Sequence, residues 1–256
     1  TRDDWENVFK PRLNPDSPCR YPLHWEEKKR TWAQRDYPLS IGGGSVFGWL
    51  RNWMGLEGIS QAFYDDPTWV QEMMDYLADF VVATVARAAE EVDIDYVTMW
   101  EDMAYKAGPL ISPRMFRQFM LEPYKRITSQ FHEHGIDIIF VDSDGDSEQL
   151  MGLWLEGGVT GYYPIERAAG MDPVQLRERF GRELRLIGGI DKRAMKEGPE
   201  AIEAELAHIL PLIADGGYVP WCDHLVPPDV PFDHYMYYLR RMKEMTLDPS
   251  NFKPRG

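Results

Sequence analysis

Six short apolar stretches, each followed by a segment of helical periodicity, predict an α/β fold with a parallel sheet, because this alternation builds right-handed strand–helix–strand crossovers. Five of the six stretches run into acid, at Glu101, Asp142, Glu166, Asp191 and Asp223. In a (β/α)8 TIM barrel every strand C-terminus opens on one mouth, whereas a doubly wound sheet uses only the ends near its switch point, so the pattern selects the barrel. Six βα units are visible where a barrel has eight, and the expectation is that the first two are absent from this sequence.

The elements follow in order. Residues 1–36 carry Pro11, Pro15, Pro18 and Pro22 and no sustained period, so they read as a covering segment with one helix near Trp25 to Gln34. Pro38 to Ile41 is a short strand ending in Gly42, Gly43 and Gly44, where backbone can approach a ligand or another strand. Asp66 as N-cap and Pro67 in the first turn start a helix that runs to Val92. The next strand, Asp95 to Trp100, ends in Glu101 and Asp102. Ser112 and Pro113 start another helix, which Pro123 should kink or divide and Gly135 should stop.

Ile138 to Val141 reads as a strand buried on both faces. The rhythm then shortens: helix 147–156, strand Thr160 to Ile165, helix Asp172 to Phe180, strand Leu184 to Ile190, helix Pro199 to Ala214 and strand Gly217 to Trp221. A closing amphipathic helix begins near Pro231, and residues 248–256 form a loose tail. The division is therefore one barrel domain over 1–256, with the βα units in 37–247.

With 256 residues and 44% hydrophobic content the chain can bury a substantial core. Its 42 acidic against 28 basic residues give a net charge of −14. That charge repels nucleic acid and anionic lipid. No apolar run approaches the roughly 20 residues of a membrane span. Cys19 and Cys222 are too distant in sequence to suggest a disulfide framework, which leads to the expectation of a reduced, cytoplasmic protein.

The most unusual stretch is Asp137 to Asp146, DIIFVDSDGD, where a buried strand meets three carboxylates, Asp142, Asp144 and Asp146, around Gly145. Desolvating an unpaired carboxylate costs several kcal/mol, so the cluster should face water, pair with cations or hold a metal. The alternative is that these aspartates cap the following helix.

The ordered set GGGSVFGWLRNWMG, DDP, WEDMAYKAGPLISPRMFRQFMLEPYKRI, the strand ending at Asp142, LIGGIDKRA and GGYVPWCDHLVPPDVPFDHY resembles the uroporphyrinogen decarboxylase superfamily. The resemblance implies a (β/α)8 barrel and either decarboxylation or zinc-dependent methyl transfer from a corrinoid to a thiol. In the methyltransferase branch the strand matching Ile138 to Val141 ends in His-x-Cys-Gly. Its two zinc ligands fall on Asp142 and Asp144, and its later cysteine falls on His224. The family's arginine-bearing start and its catalytic tyrosine have no counterpart here.

The resemblance and the acid together name Asp142, Asp144 and His224, with Glu101 in support, as ligands for a divalent metal, zinc or a harder ion. Asp142, Glu101 and His224 are the catalytic candidates. Gly43, Phe47, Trp100, Tyr105, Tyr163 and Trp221 are the substrate-binding ones, and acid beside aromatic faces would also suit a methylated amine. The reading is metal-assisted methyl transfer to or from a small molecule, with a corrinoid on a partner protein as one possible donor. The alternatives are a carboxy-lyase of the decarboxylase type and a non-catalytic ligand-binding barrel. Open sheet edges add the expectation of a homo-oligomer.

Overall fold

The computed structural model describes residues 1–255. Its longest helix begins where local sequence demands: the Asp66 side chain accepts a hydrogen bond from the Trp69 amide at 3.1 Å, and Pro67 fills the first turn. In chain order, short turns through Arg20 lead to helix α1 (Trp25–Trp32), strand β1 (Ser40–Gly42), helices α2 (Phe47–Asp65) and α3 (Pro67–Glu91), and strand β2 (Tyr96–Trp100). A small hairpin, β3 (Ala104–Tyr105) with β4 (Gly108–Pro109), precedes a turn at Pro113–Met115, helix α4 (Leu121–His132) and strand β5 (Ile139–Asp142). Helix α5 (Glu148–Glu156), strand β6 (Gly161–Tyr163), helix α6 (Pro173–Phe180) and strand β7 (Arg185–Ile187) follow. Helices α7 (Lys192–Glu197) and α8 (Pro199–Asp215), strand β8 (Tyr218–Val219) and helix α9 (Phe232–Leu247) complete the set.

Two of these elements depart from the sequence expectation. Helix α2 was not anticipated, and the segment before Pro123 is wound as a π-helix over Phe116–Met120 rather than simply kinked. Pro123 lacks an N–H and its ring crowds the carbonyl of Phe119, so the wider turn upstream relieves both problems. Gly135, at φ +76°, ends α4 as expected, with the Ile136 amide donating back to the Phe131 carbonyl.

The chain divides into two compact units. The first holds residues 1–103, 111–142 and 152–160; the second holds 104–110, 143–151 and the chain from Gly161 onward. In the first unit β1, β2 and β5 lie side by side and parallel, with Ile41 opposite Val97 and Met99 opposite Val141. Val97 and Met99 are fully buried, and Tyr96, Thr98 and Trp100 on the alternate face are half-buried. Helix α3 buries Val70, Met73, Met74, Leu77 and Val81 at helical spacing and packs against α4. In the second unit β6, β7 and β8 are parallel in that order, and the β7–β8 pairing continues as a bridge between Ile190 and Cys222. Helix α8 packs against α6, α7 and α9, and the buried Glu203–Arg241 pair at 2.5 Å joins α8 to α9.

No helix among the described residues is long and apolar enough to cross a membrane.

Candidate metal centre

In the second unit three side chains from loops that follow β5, β6 and β8 converge. They are Asp144, Glu166 and His224, with one potential ligand atom of each lying within 4.8 Å of the others. His224 Nε2 is 3.5 Å from Asp144 Oδ2. All three side chains are partly open to solvent, so a small molecule can reach them.

The loop Ser143–Ser147 shapes this arrangement. Gly145 has φ +80°, and a Cβ there would sit 2.7 Å from the backbone of Ala104 in the hairpin, so only glycine lets the loop pack this closely. The Gly145 amide donates to Glu166 Oε2 at 2.8 Å, and the Asp146 amide donates to the Tyr105 carbonyl at 3.0 Å. The Asp146 carboxylate accepts from the Glu148 amide at 3.2 Å, the helix-start role that sequence offered as the alternative for this cluster.

Asp223, beside His224, is completely buried. Its Oδ1 accepts from the Lys192 amide at 3.1 Å, and its Oδ2 accepts from the Arg167 amide at 3.2 Å and lies 3.4 Å from Lys192 Nζ. The same ammonium is 4.0 Å from Glu166 Oε1. Burial holds the Asp223 carboxyl above its ordinary value, with the Lys192 amide pulling the other way. Burial and the neighbouring Asp223 charge push the Cys222 thiol up to about 11, and it is not one of the three converging side chains.

The remaining sequence candidates divide sharply. Glu101 is withdrawn as a ligand: it is completely buried and its oxygens accept from the amides of Val46, Phe47 and Gly48, the Ser45 hydroxyl and the Tyr124 hydroxyl. It caps the N-terminus of α2, and burial raises its pKa despite those five donors. Phe47 is core, stacked on Phe63 with no exposed surface. Gly43 is a packing glycine, since a Cβ there would come within 2.7 Å of Val97 and 2.8 Å of Met99. Asp142, half-buried at the end of β5, offers its carbonyl to the amides of Glu101 and Asp102 and is not one of the three converging side chains.

Trp100 is half-buried, with the Arg51 guanidinium 5.3 Å from its ring centre. Arg51 also grips Asp102, through its backbone carbonyl and its Oδ2 at 2.9 Å. Asp102 is the one non-glycine residue of positive φ, at +46°, among the described residues. Tyr163 closes β6, where its carbonyl accepts from the Ser143 amide at 2.9 Å. Tyr105 and Trp221 are largely exposed, at 74% and 61%. Glu166 is the member that sequence reasoning left unassigned; its place as the acid ending the β6 stretch was the signal that could have found it.

One imidazole nitrogen and two carboxylate oxygens suit a borderline or hard divalent ion, and three protein donors leave coordination positions for substrate. The donor set therefore fits zinc, manganese or ferrous iron.

Comparison with known proteins bears on the same chain segments. A family model described as uroporphyrinogen decarboxylase (URO-D) matches residues 26–245. The uroporphyrinogen decarboxylase of Psychromonas ingrahamii is 24% identical over 263 aligned positions, covering 96% of this chain and 69% of its own length. That of Hydrogenovibrio crunogenus is 23% identical over 223, covering 84% of this chain; the chain spans only 57% of that relative. Among solved structures, a methyltransferase from Methanosarcina mazei shares the fold with a TM-score of 0.60 at 17% identity, over 86% of this chain and 61% of its own. Its α/β architecture, with six parallel strands and their helices, is that of a TIM barrel of this type. With its family model matched along nearly the whole length, the chain belongs to the uroporphyrinogen decarboxylase family.

Proposed function

We propose that the chain is the metal-binding part of an enzyme of this superfamily that transfers a methyl group to or from a small molecule at the strand ends. The observation that carries the reading is the convergence of Asp144, Glu166 and His224 within 4.8 Å. A divalent ion held by them would act as a Lewis acid or lower the pKa of a coordinated acceptor. The chain's own residues prepare the place: the Gly145 amide fixes one oxygen of Glu166, and Asp144 and His224 remain open on the solvent side.

Methyl transfer is favoured over action on a porphyrinogen by charge. A net charge of −14 and the partly exposed carboxylates of Asp144 and Glu166 repel a polycarboxylate. The name of the Methanosarcina mazei neighbour supports the same direction. The methyl donor in this reading is a corrinoid on a partner protein or a small methylated compound.

The test is elemental analysis of the purified chain after equilibration with zinc, manganese or ferrous iron. Wild type should retain close to one ion per chain, and Asp144→Ala and His224→Ala should retain little. A wild type that retains no ion overturns the metal reading.

Decarboxylation is the second reading, favoured by the printed names of the curated relatives. In it Asp142 supplies or takes the proton. Decarboxylase activity that survives chelators and is lost in Asp142→Asn would establish it.

A further inference from the structure

We infer that Asp223 governs whether Glu166 is available to a cation, by holding the Lys192 ammonium away from it. The inference rests on the metal-centre reading above. The loops after β6, β7 and β8 bring Glu166, Lys192 and Asp223 together in that order of chain. Lys192 Nζ lies 3.4 Å from Asp223 Oδ2 and 4.0 Å from Glu166 Oε1, so one ammonium stands between two carboxylates. The two are not equivalent. Asp223 has no exposed surface and both of its oxygens accept backbone amides, from Lys192 and Arg167, whereas the Glu166 side chain is 21% exposed and accepts one amide, from Gly145 at Oε2, with Oε1 facing Lys192.

Coulomb attraction is strongest where water is excluded, which sets the direction of the competition. The buried Asp223 is the preferred partner of Lys192, and Glu166 keeps an oxygen free of a full ion pair. Without the Asp223 charge, Lys192 is left as a largely buried cation, its side chain 17% exposed, and its nearest remaining anion is Glu166. A closed Lys192–Glu166 pair would occupy the ligand and place a positive charge beside any incoming metal ion. In this geometry Asp223 is a positioning residue: it contacts neither metal nor substrate and acts through Lys192.

Asp223 also ties down backbone, because it accepts from the Arg167 and Lys192 amides. A loss of metal in an Asp223 variant could come from either role, and the double variant separates them. Competition titration against a chromophoric chelator gives the zinc affinity of the full chain as wild type, Asp223→Asn, Lys192→Met and Asp223→Asn/Lys192→Met. Circular dichroism and thermal unfolding check that each is folded.

The expected results are a weakening on the order of 10–100-fold in Asp223→Asn, the range typical of residues that support metal ligands. Lys192→Met should bind zinc more tightly than wild type, because a cation 4.0 Å from a ligand oxygen has been removed. In the Lys192→Met background, Asp223→Asn should have little further effect. Equal weakening by Asp223→Asn with and without Lys192 would reduce Asp223 to a backbone clamp and overturn the inference. So would a Lys192→Met variant that binds no more tightly than wild type, which remains readable even if the Asp223 variants fail to fold. Both leave the metal centre standing; a wild type that takes up no zinc removes the centre and this inference with it.

Discussion

Replacing Glu101 by glutamine perturbs a single atom of the first unit, and the structure fixes what that atom does. Oε1 of Glu101 accepts from the Val46 amide at 2.8 Å and the Tyr124 hydroxyl at 2.7 Å; Oε2 accepts from the amides of Phe47 and Gly48 and from the Ser45 hydroxyl. A glutamine whose oxygen takes the Oε2 place turns its NH2 toward Val46 and Tyr124. The tyrosine hydroxyl can rotate and accept, but the Val46 amide is stranded, at a cost of about 1–3 kcal/mol for a buried unsatisfied donor. A deficit of about 1–3 kcal/mol is expected for Glu101→Gln, and more for Glu101→Ala, which strands every donor and opens a cavity.

Urea unfolding followed by tryptophan fluorescence measures it, as a lower midpoint with unchanged slope. The deficit should also depend on pH. Burial raises the folded pKa of Glu101 above its ordinary 4.5, so the folded chain holds that proton more tightly than the unfolded one. Its contribution is fully present below pH 4.5 and declines as pH rises toward the folded pKa, so the gap to Glu101→Gln should narrow over that interval. Equal midpoints for wild type and Glu101→Gln at every pH would refute the assignment of Glu101 as the cap of α2.

Three further outcomes can be checked. Glu91 is held down to about 2 by Lys29, Trp25 and Arg87, so its contribution is present above pH 4.5 and lost as pH falls toward 2; Glu91→Gln should flatten that limb of the acid-unfolding curve. Asp102→Ala should cost about 1–2 kcal/mol, because it keeps a Cβ at positive φ but loses the short polar side chain that tolerates that region and the Arg51 clamp, and Asp102→Gly should unfold at a temperature closer to wild type, by differential scanning calorimetry. Gly145→Ala, which drives a Cβ into the Ala104 backbone, should shift the loop carrying Asp144 and lower zinc affinity at least tenfold by the same chelator competition.

Legibility in the sequence followed the range of the interactions involved. The start of α3 was readable because Asp66 and Pro67 are neighbours and cap their own helix. Helix α2 was not, since Gly48, Gly55 and Gly58 dilute its helical signal and the residue at its N-cap, Val46, offers no side-chain cap. Phe47 and Gly43 follow a strand end, which made them look like mouth residues; packing against Phe63 and Val97 decides their place, and no local pattern announces it. Asp144 and His224 carried a signal in the strand-end acid and the family motifs, and the structure brings them together. Glu166 and Asp223 were visible only as acids at strand ends. What separates a converging ligand from a buried brace is three-dimensional: the first is partly open beside His224, the second is sealed around Lys192.

The borrowed cap of α2 also bears on how the chain reaches its fold. Val46, Phe47 and Gly48 are bound by a residue more than fifty positions downstream, so these three amides stay uncapped until β2 has formed and docked. During synthesis that turn leaves the ribosome several seconds ahead of its cap, given elongation at about 5–20 residues per second. Over that interval α2 is an open-ended helix whose leading amides exchange freely with water. Pulse-labelling hydrogen exchange on refolding chains should find the amides of residues 46–48 protected together with β2, and later than those of residues 69–71 in the self-capped α3.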